Sequence, residues 1–429
     1  MRMPLNTLRG AALLICLLLS SAGVSAYSVL THEQIVDLLW KDQIRPLLLK
    51  RFPASTPDDL RKAHAYAYGG SVMQDMGYYP FGSKYFSDLV HYVRSGDFVA
   101  ALLRDSSNVN DYAFALGALA HYASDNSGHP FINRIMAIEF PKLRAKYGDE
   151  VTYADNPKDH IRTEFGFDMV QVARNRYTSD SYHDFIGFEV AKPLLERAFL
   201  ETYGLKLEDL FNVDLAIGSY RRGVSKIIPE MTRVALLSRH DEIVKETPNF
   251  NKKKFLYYLS RTQYRHEWGT VYRRPGIGTR ILAFFLKIIP KVGPFSAVNF
   301  KIPTKKTEDM YIRSVDLTVE EYSRLLQEES RHDLHLANLD FDTGRPTRAG
   351  EYPLADKTYA KLVDDLSKRG FGSVPPAMRA DVLHFYSDVN APIATKSDKK
   401  AWARLLDEVH SLSQESPSSA SVPASTLTK

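Results

Sequence analysis

Cysteine is nearly absent from this sequence of 429 residues, which contains only Cys16. Cys16 lies in the apolar run Ala11–Leu19, which follows a basic start and precedes the small residues Val24-Ser25-Ala26. This pattern is typical of a secretory signal peptide, so we predict that residues 1–26 are removed and that Tyr27 becomes the first residue. The mature protein is then expected to be secreted or periplasmic. Because it has no disulfides, core packing or bound metal must stabilise its fold.

The sequence after Tyr27 also lacks an apolar run of the roughly 20 residues that a membrane-spanning helix needs. The run Ile281–Ile289 is too short, and Arg280 and Lys291 border it. It is either a buried helix with basic ends or a helix at a lipid interface. The formal net charge is only +5. Such a mild excess is no signature of nucleic-acid binding, although it is compatible with an anionic substrate or membrane surface.

Strand-like alternation is rare, and helical periodicity dominates, so we predict an all-α fold. We expect a catalytic domain over residues 27–245, a mostly helical region of unknown role over 246–412 and a disordered Ser/Pro-rich tail over 413–429. The glycines of PGIG at 275–278 lack the lysine of a phosphate-binding loop. The turn-rich segment Leu339–Tyr352 lacks the glycine and final glutamate of an EF-hand, and we interpret it as structural.

Three polar side chains recur at four-residue intervals in Ala115–Pro130 (ALGALAHYASDNSGHP), namely His121, Asp125 and His129. Residues four apart share one face of a helix. Because a helix rises about 1.5 Å per residue, the two histidines should lie roughly 12 Å apart. One metal ion cannot bind both, so the row suits a cluster of ions that share Asp125. The alternative is a polar helix face with two ordinary histidines.

A second pair with the same spacing, His160 and Glu164, lies in Asn156–Met169. Asn156 is expected to cap this helix and Pro157 to open it. A histidine and a carboxylate four residues apart form a common two-ligand unit for zinc. His129 is a candidate for the third ligand, and an exposed His–Glu pair is the alternative.

His32 lies near the predicted mature N-terminus, in the first turn of a helix that Thr31 is expected to cap. The terminal amine of Tyr27 and its neighbouring carbonyl can together chelate a metal ion once the signal peptide is removed. The alternative is a flexible start with a histidine near a helix cap.

Asp75 and His91 flank a loop that is rich in glycine, tyrosine and phenylalanine. An acid and an imidazole in these positions can both face a pocket. Asp88, three residues before His91, is a candidate hydrogen-bond partner for a metal-binding histidine.

The ordered set of His, Asp and Glu residues resembles the zinc-dependent phospholipase C family, which is related in fold to the fungal single-strand-specific zinc nucleases. The phrases YSVLTHE, DMGYYPFGS, FSDLVHYVRSGDF and HYASDNSGHP are similar to the bacterial phospholipases. The resemblance covers roughly Tyr27–Met169. It implies a mostly helical bundle that binds three zinc ions, one of them chelated by the processed N-terminal residue.

The resemblance also implies which residues share each ion. One zinc would be held by Asp75, His91, His121 and Asp125. A second would be held by the amine and carbonyl of Tyr27, by His32 and by the bridging Asp125. The third would be held by His129, His160 and Glu164. Asp75 is also the predicted catalytic residue, which orients or deprotonates the attacking water.

The sequence departs from the family pattern at three points. Tyr27 replaces the usual tryptophan, which preserves a chelate made by main-chain atoms. The step from Tyr27 to His32 is closer to that of the nucleases. Only three residues separate Asp125 from His129, where the relatives often have five, so the third zinc is expected to be displaced.

Two cations about 3.5–4 Å apart suit phosphoester hydrolysis, because together they activate a water and neutralise charge at phosphorus. We therefore predict a phospholipase C that hydrolyses glycerophospholipids to diacylglycerol and a phosphorylated head group by attack of metal-bound hydroxide. A phospholipid, with a membrane surface as the candidate location, is the expected partner, and no stable nucleic-acid partner is expected. The aromatic loop Tyr78–Phe86 is a candidate contact for the lipid. The alternatives are a zinc nuclease whose tyrosines stack on bases, and a zinc-stabilised binding protein without catalysis.

Overall fold

The computed structural model describes residues 29–173, 187–223 and 303–415. Several features named above lie outside these residues: the predicted signal peptide, Tyr27, the boundary near residue 245, the run Ile281–Ile289 and nearly all of the predicted tail. The helices of the described part are α1 (Val29–Leu39), α2 (Arg45–Arg51), α3 (Pro57–Met73), α4 (Lys84–Tyr92), α5 (Ser95–Arg104), α6 (Val109–Glu139), α7 (Pro141–Tyr147), α8 (Pro157–Ala173), α9 (Lys192–Tyr203), α10 (Val213–Arg222), α11 (Lys305–Arg331), α12 (Pro353–Lys368), α13 (Pro376–Phe385) and α14 (Lys399–Gln414).

Short non-α elements connect some of these helices. A π-helical turn, Trp40–Ile44, joins α1 to α2, and 3₁₀ turns occupy Gln74–Tyr78, Leu207–Asp209 and Ala394–Ser397. The β structure of the described residues is one antiparallel pair, β1 (Leu339–Asp340) with β2 (Arg345–Pro346). The predicted all-α class is therefore confirmed.

Local capping signals explain where two of the site helices begin. The Thr56 side chain accepts a hydrogen bond from the Asp59 amide at 3.2 Å, and the Asp59 carboxylate accepts one from the Thr56 amide at 2.9 Å. This reciprocal capping box starts α3. The Asn156 side chain accepts from the Asp159 amide at 3.0 Å, and α8 begins at Pro157. The predicted start of α8 is confirmed.

The predicted cap of α1 is wrong. Val29 is already helical, so Thr31 lies inside α1. The Thr31 hydroxyl donates instead to the Asp168 carboxylate on α8, at 2.7 Å. This bond joins the start of α1 to the helix that carries His160 and Glu164.

The long helix α6 packs against α3, α11, α5, α8 and α1. Main-chain atoms of α6 and α3 meet at two glycines. A Cβ atom added to Gly70 would lie 1.9 Å from the Phe114 carbonyl oxygen, and one added to Gly117 would lie 2.0 Å from the Ala67 carbonyl oxygen. Only glycine permits this approach. It places the end of α3, which leads to Asp75, beside the histidine row of α6.

The C-terminal helices pack on the same core. Tyr322 of α11 donates a hydrogen bond to the Leu116 carbonyl of α6 at 2.8 Å, and α12 packs against α4. One cluster of buried apolar side chains extends from Val29 to Leu412. None of the sequence patterns described above predicts α11 as a separate element. Among the helices of the described ranges, none is long and apolar enough to cross a membrane.

Candidate metal centre

The structure describes eight of the nine predicted metal ligands, and all eight side chains are buried. They are His32, Asp75, His91, His121, Asp125, His129, His160 and Glu164. The ninth, Tyr27, lies outside the described residues. Burying this many ionisable groups is unfavourable unless they pair with one another or coordinate cations.

Five of these side chains form what we call the shared-aspartate cluster: His32, Asp75, His91, His121 and Asp125. One Asp125 oxygen, Oδ2, lies 3.0 Å from Nε2 of His121 and 3.5 Å from Nε2 of His91. The other oxygen, Oδ1, lies 3.6 Å from Nε2 of His32. Asp125 therefore presents one oxygen to each of two sets of histidines, which is the geometry that a bridging ligand needs.

His121 takes part in both halves of this cluster. The ligand atoms of His32, His121 and Asp125 all lie within 4.8 Å of one another. The same is true of the ligand atoms of Asp75, His91 and His121. The His121 ring stacks on the His32 ring with centroids 4.5 Å apart. The family resemblance assigns His32 and His121 to different ions. In the structure the two rings are in contact, so His121 is also close enough to serve the ion assigned to His32.

The other three side chains form the His129 group, which contains His129, His160 and Glu164. Oε1 of Glu164 lies 2.7 Å from Nε2 of His160 and 3.8 Å from Nε2 of His129. His129 follows Asp125 by one turn of α6. The two clusters therefore lie next to each other along this helix, with His121 and His129 in different clusters.

Backbone carbonyls orient three of the imidazoles. Nδ1 of His91 lies 2.7 Å from the Ser87 oxygen, and Nδ1 of His121 lies 2.9 Å from the Ser71 oxygen. Nδ1 of His129 lies 2.5 Å from the Phe341 oxygen. A carbonyl oxygen only accepts hydrogen bonds, so Nδ1 must carry the hydrogen in each ring. In the neutral ring, Nε2 then has its lone pair directed into the cluster, which is the usual arrangement of a metal-binding histidine.

The predicted role of Asp88 is wrong. Its carboxylate pairs with Lys84 at 2.5 Å, and the Ser87 carbonyl instead accepts the hydrogen bond from Nδ1 of His91. Ser87 lies one helical turn before His91, so a main-chain atom does what we assigned to a side chain.

Many ligand atoms of the centre are buried without a hydrogen-bond partner among the described residues. They include both carboxylate oxygens of Asp75 and Asp125, Nε2 of His121 and His129, both ring nitrogens of His160, and Oε1 of Glu164. Unpartnered buried carboxylates carry a large desolvation penalty. Cations would satisfy these atoms, and carboxylate oxygens with imidazole nitrogens are ligands that zinc favours. The residues present therefore fit zinc.

Opposite charges stabilise one another within the shared-aspartate cluster. Burial raises the pKa of Asp125, but the His121 and His91 imidazoles outweigh it and hold that pKa well below its usual value. Burial lowers the pKa of His91, but Asp125 and Asp75 outweigh it and hold that pKa well above its usual value. The protein itself thus favours an ionised Asp125.

The His129 group behaves in the opposite way. Burial first, and then the negative charge of Asp125, raise the pKa of Glu164 well above its usual value. Burial, and then the nearby His129, lower the pKa of His160 well below its usual value. Both shifts favour the neutral forms of Glu164 and His160.

The sequence patterns missed three residues that support the centre. The Phe341 ring packs 5.3 Å from the His91 ring and 6.0 Å from the His121 ring, and Asp342 lies beside His129. Asp168 accepts hydrogen bonds from the Leu30 amide and the Thr31 hydroxyl. Asp168 follows Glu164 by four residues on α8, a spacing that was visible in the sequence. No spacing pattern links residues 341 and 342 to the histidines.

A comparison with protein families places this centre in a known context. Residues 31–212 match the family model described as zinc dependent phospholipase C. This range contains all eight described candidate ligands, and the match confirms the resemblance that the sequence motifs indicated. No curated protein and no solved structure matches the chain significantly.

Proposed function

Because residues 31–212 match the family model described as zinc dependent phospholipase C, we propose that this chain is a secreted phospholipase C. It hydrolyses glycerophospholipids to diacylglycerol and a phosphorylated head group. The observation that carries the proposal is the buried centre, in which imidazole and carboxylate atoms converge without hydrogen-bond partners in the described part of the chain.

The proposed centre holds three zinc ions. Asp75, His91, His121 and Asp125 bind the first, and His129, His160 and Glu164 bind the third. His32, Asp125 and the amine and carbonyl of Tyr27 bind the second. The two oxygens of Asp125 face different histidines, which supports a bridge between the first two ions. When bound, zinc lowers the pKa of water and neutralises charge on phosphate oxygens.

Asp75 is the proposed catalytic residue. Its carboxylate is buried, and Oδ1 lies 3.4 Å from Nε2 of His91. Neither carboxylate oxygen has a hydrogen-bond partner in the described residues, so a lone pair is available to orient a water and to accept its proton.

The N-terminal chelate is supported by how α1 is held. The Leu30 amide donates to Asp168 at 3.1 Å, and the Thr31 hydroxyl donates to it at 2.7 Å. His32 follows directly and faces Asp125. The start of α1 is thus fixed beside the shared-aspartate cluster, and Tyr27 is only two residues before Val29.

The test is an assay of the purified mature protein on phosphatidylcholine in mixed micelles and on single-stranded DNA. We expect release of the phosphorylated head group, loss of this activity with a chelator, and recovery with zinc. Cleavage of DNA alone would favour a zinc nuclease. Zinc binding without turnover of either substrate would favour a zinc-stabilised binding protein, and both results would overturn the proposal.

A further inference from the structure

The turn Leu339–Pro346, formed by β1, β2 and the residues between them, contacts the centre from beyond the family-matched residues. We propose that Asp342 in this turn is a positioning residue for His129. It holds the Phe341 carbonyl against the imidazole, and so it raises the zinc affinity of the His129 group. The inference rests on the proposed zinc function.

Phe341 contacts both clusters through its main chain. Its carbonyl accepts from Nδ1 of His129 at 2.5 Å, and its amide donates to the His91 carbonyl at 3.2 Å. The residue that orients His129 therefore lies 212 positions further along the chain. By contrast, Ser87 orients His91 from the same helix.

Asp342 holds this turn in place through hydrogen bonds at its side chain and main chain. Its Oδ2 accepts from the Tyr92 hydroxyl at 2.8 Å and from the Tyr352 hydroxyl. The Asn133 side chain donates to its main-chain carbonyl at 2.8 Å. Its other carboxylate oxygen, Oδ1, lies 3.6 Å from Nδ1 of His129. A carboxylate beside Nδ1 makes Nε2 a stronger metal ligand.

The main chain on either side of Asp342 is docked closely. Pro130 has no amide hydrogen, so the Asn126 carbonyl of α6 lacks its usual helical partner. Gly344 passes over that carbonyl with φ of +67°, and a Cβ atom there would lie 2.4 Å from the Asn126 oxygen. At the start of the turn, the Ser95 hydroxyl donates to the Leu339 carbonyl at 2.6 Å. These contacts fix the position of the turn against α5 and α6.

The main experiment is a zinc titration of the metal-free mature protein against a chromophoric chelator. Asp342→Asn keeps the side-chain volume and removes the negative charge. It also places an amide group where the carboxylate accepts hydrogen bonds from the Tyr92 and Tyr352 hydroxyls. We expect one zinc to bind about 10- to 100-fold more weakly, since outer partners of ligating histidines typically have effects of this size. The remaining zinc should be unaffected. Asp316→Asn, at an exposed position of α11, is the matched control.

A double variant tests whether Asp342 acts through the His129 group. Glu164→Gln removes a ligand from that group. The double variant with Asp342→Asn should bind zinc no more weakly than Glu164→Gln alone, because both changes affect the same ion. Additional weakening at the zinc of the shared-aspartate cluster would indicate a general structural role and would overturn the inference.

Tyr352→Phe is the second variant, for the case that Asp342→Asn does not fold. It removes one hydroxyl donor to Asp342, and we expect a few-fold weaker binding of the same zinc, with circular dichroism of the metal-free protein unchanged. Wild-type affinity in Tyr352→Phe and in folded Asp342→Asn would overturn the inference alone. A wild-type protein that binds no zinc through His129, His160 and Glu164 would instead count against the proposed function.

Discussion

The shared-aspartate cluster and the His129 group differ in where their support comes from. Carbonyls of Ser71 and Ser87, on α3 and α4, orient His121 and His91. His129 depends on Phe341, in a turn that lies outside residues 31–212. The family-matched segment therefore contains the carbonyls that orient His91 and His121, whereas the carbonyl that orients His129 comes from the C-terminal region.

The two clusters also differ in charge. Two carboxylates face three imidazoles in the shared-aspartate cluster, and the pKa of Asp125 is well below its usual value. The His129 group has one carboxylate, Glu164, whose pKa burial raises well above its usual value. The group with only one carboxylate of its own is the one beside which the chain places a further carboxylate, Asp342. Separate substitutions can test this division.

The largest effect is expected for Asp125→Asn, because Asp125 faces both halves of its cluster. We predict the loss of two zinc ions and a decrease in kcat/KM of about 10³-fold or more, equivalent to about 4 kcal/mol of transition-state stabilisation. Elemental analysis of the purified variant measures the zinc. Three ions retained would show that Asp125 is not the shared ligand.

A mature chain with one extra residue before Tyr27 is expected to show the next largest effect. In the proposed site the terminal amine of Tyr27 binds zinc, and the extension would move that amine away. We therefore expect the loss of one zinc and a decrease in kcat/KM of about 10²-fold. Tyr27→Trp without the extension is the control, because the proposed chelate uses main-chain atoms, and it should retain activity. Equal turnover of the extended and normal chains would exclude the terminus from the site.

Glu164→Gln separates the two clusters directly. We predict the loss of only the zinc of the His129 group and a decrease in kcat/KM of about 10²-fold, since the other two ions remain. Zinc content and turnover are measured together, with the exposed Glu320→Gln as control. Loss of all zinc would mean that the clusters do not bind metal independently.

Asp168→Asn is expected to have the smallest of these effects. It weakens the bonds from Leu30 and Thr31 without touching a proposed ligand, at a cost of about 1–2 kcal/mol. We expect about 10-fold weaker binding of the zinc proposed to be bound by His32, and a lower melting temperature. If the affected zinc proved to be that of His160 and Glu164, Asp168 would act through α8 instead of α1.

The sequence predicted which side chains lie together where neighbours on one helix carry the signal. His121, Asp125 and His129 recur every four residues, and the structure places them in two adjacent clusters on α6. The capping motif at Asn156 and Pro157 predicted the start of α8 for the same reason. These features depend on contacts between residues close in sequence, which a single chain displays directly.

The parts that the sequence did not reveal depend on distant contacts. The Phe341 carbonyl acts through its main chain, so its role leaves no mark on residue type. Asp342 lies in a turn that is unremarkable by composition, and only folding brings it to Tyr92 and His129. The error over Asp88 has the same origin, because a main-chain oxygen fulfilled a function that we assigned to a side chain.

The main-chain contact between α3 and α6 has a consequence for the protein without its ions. At Gly70 and Gly117 the two helices already touch through their backbones and cannot move closer. Asp75, which follows α3, and His121, on α6, therefore cannot be drawn inward by a collapse of the helices when the cations leave. The separation of α3 and α6 is thus set by their backbones, and ions that bind between Asp75 and His121 need not force the two helices apart.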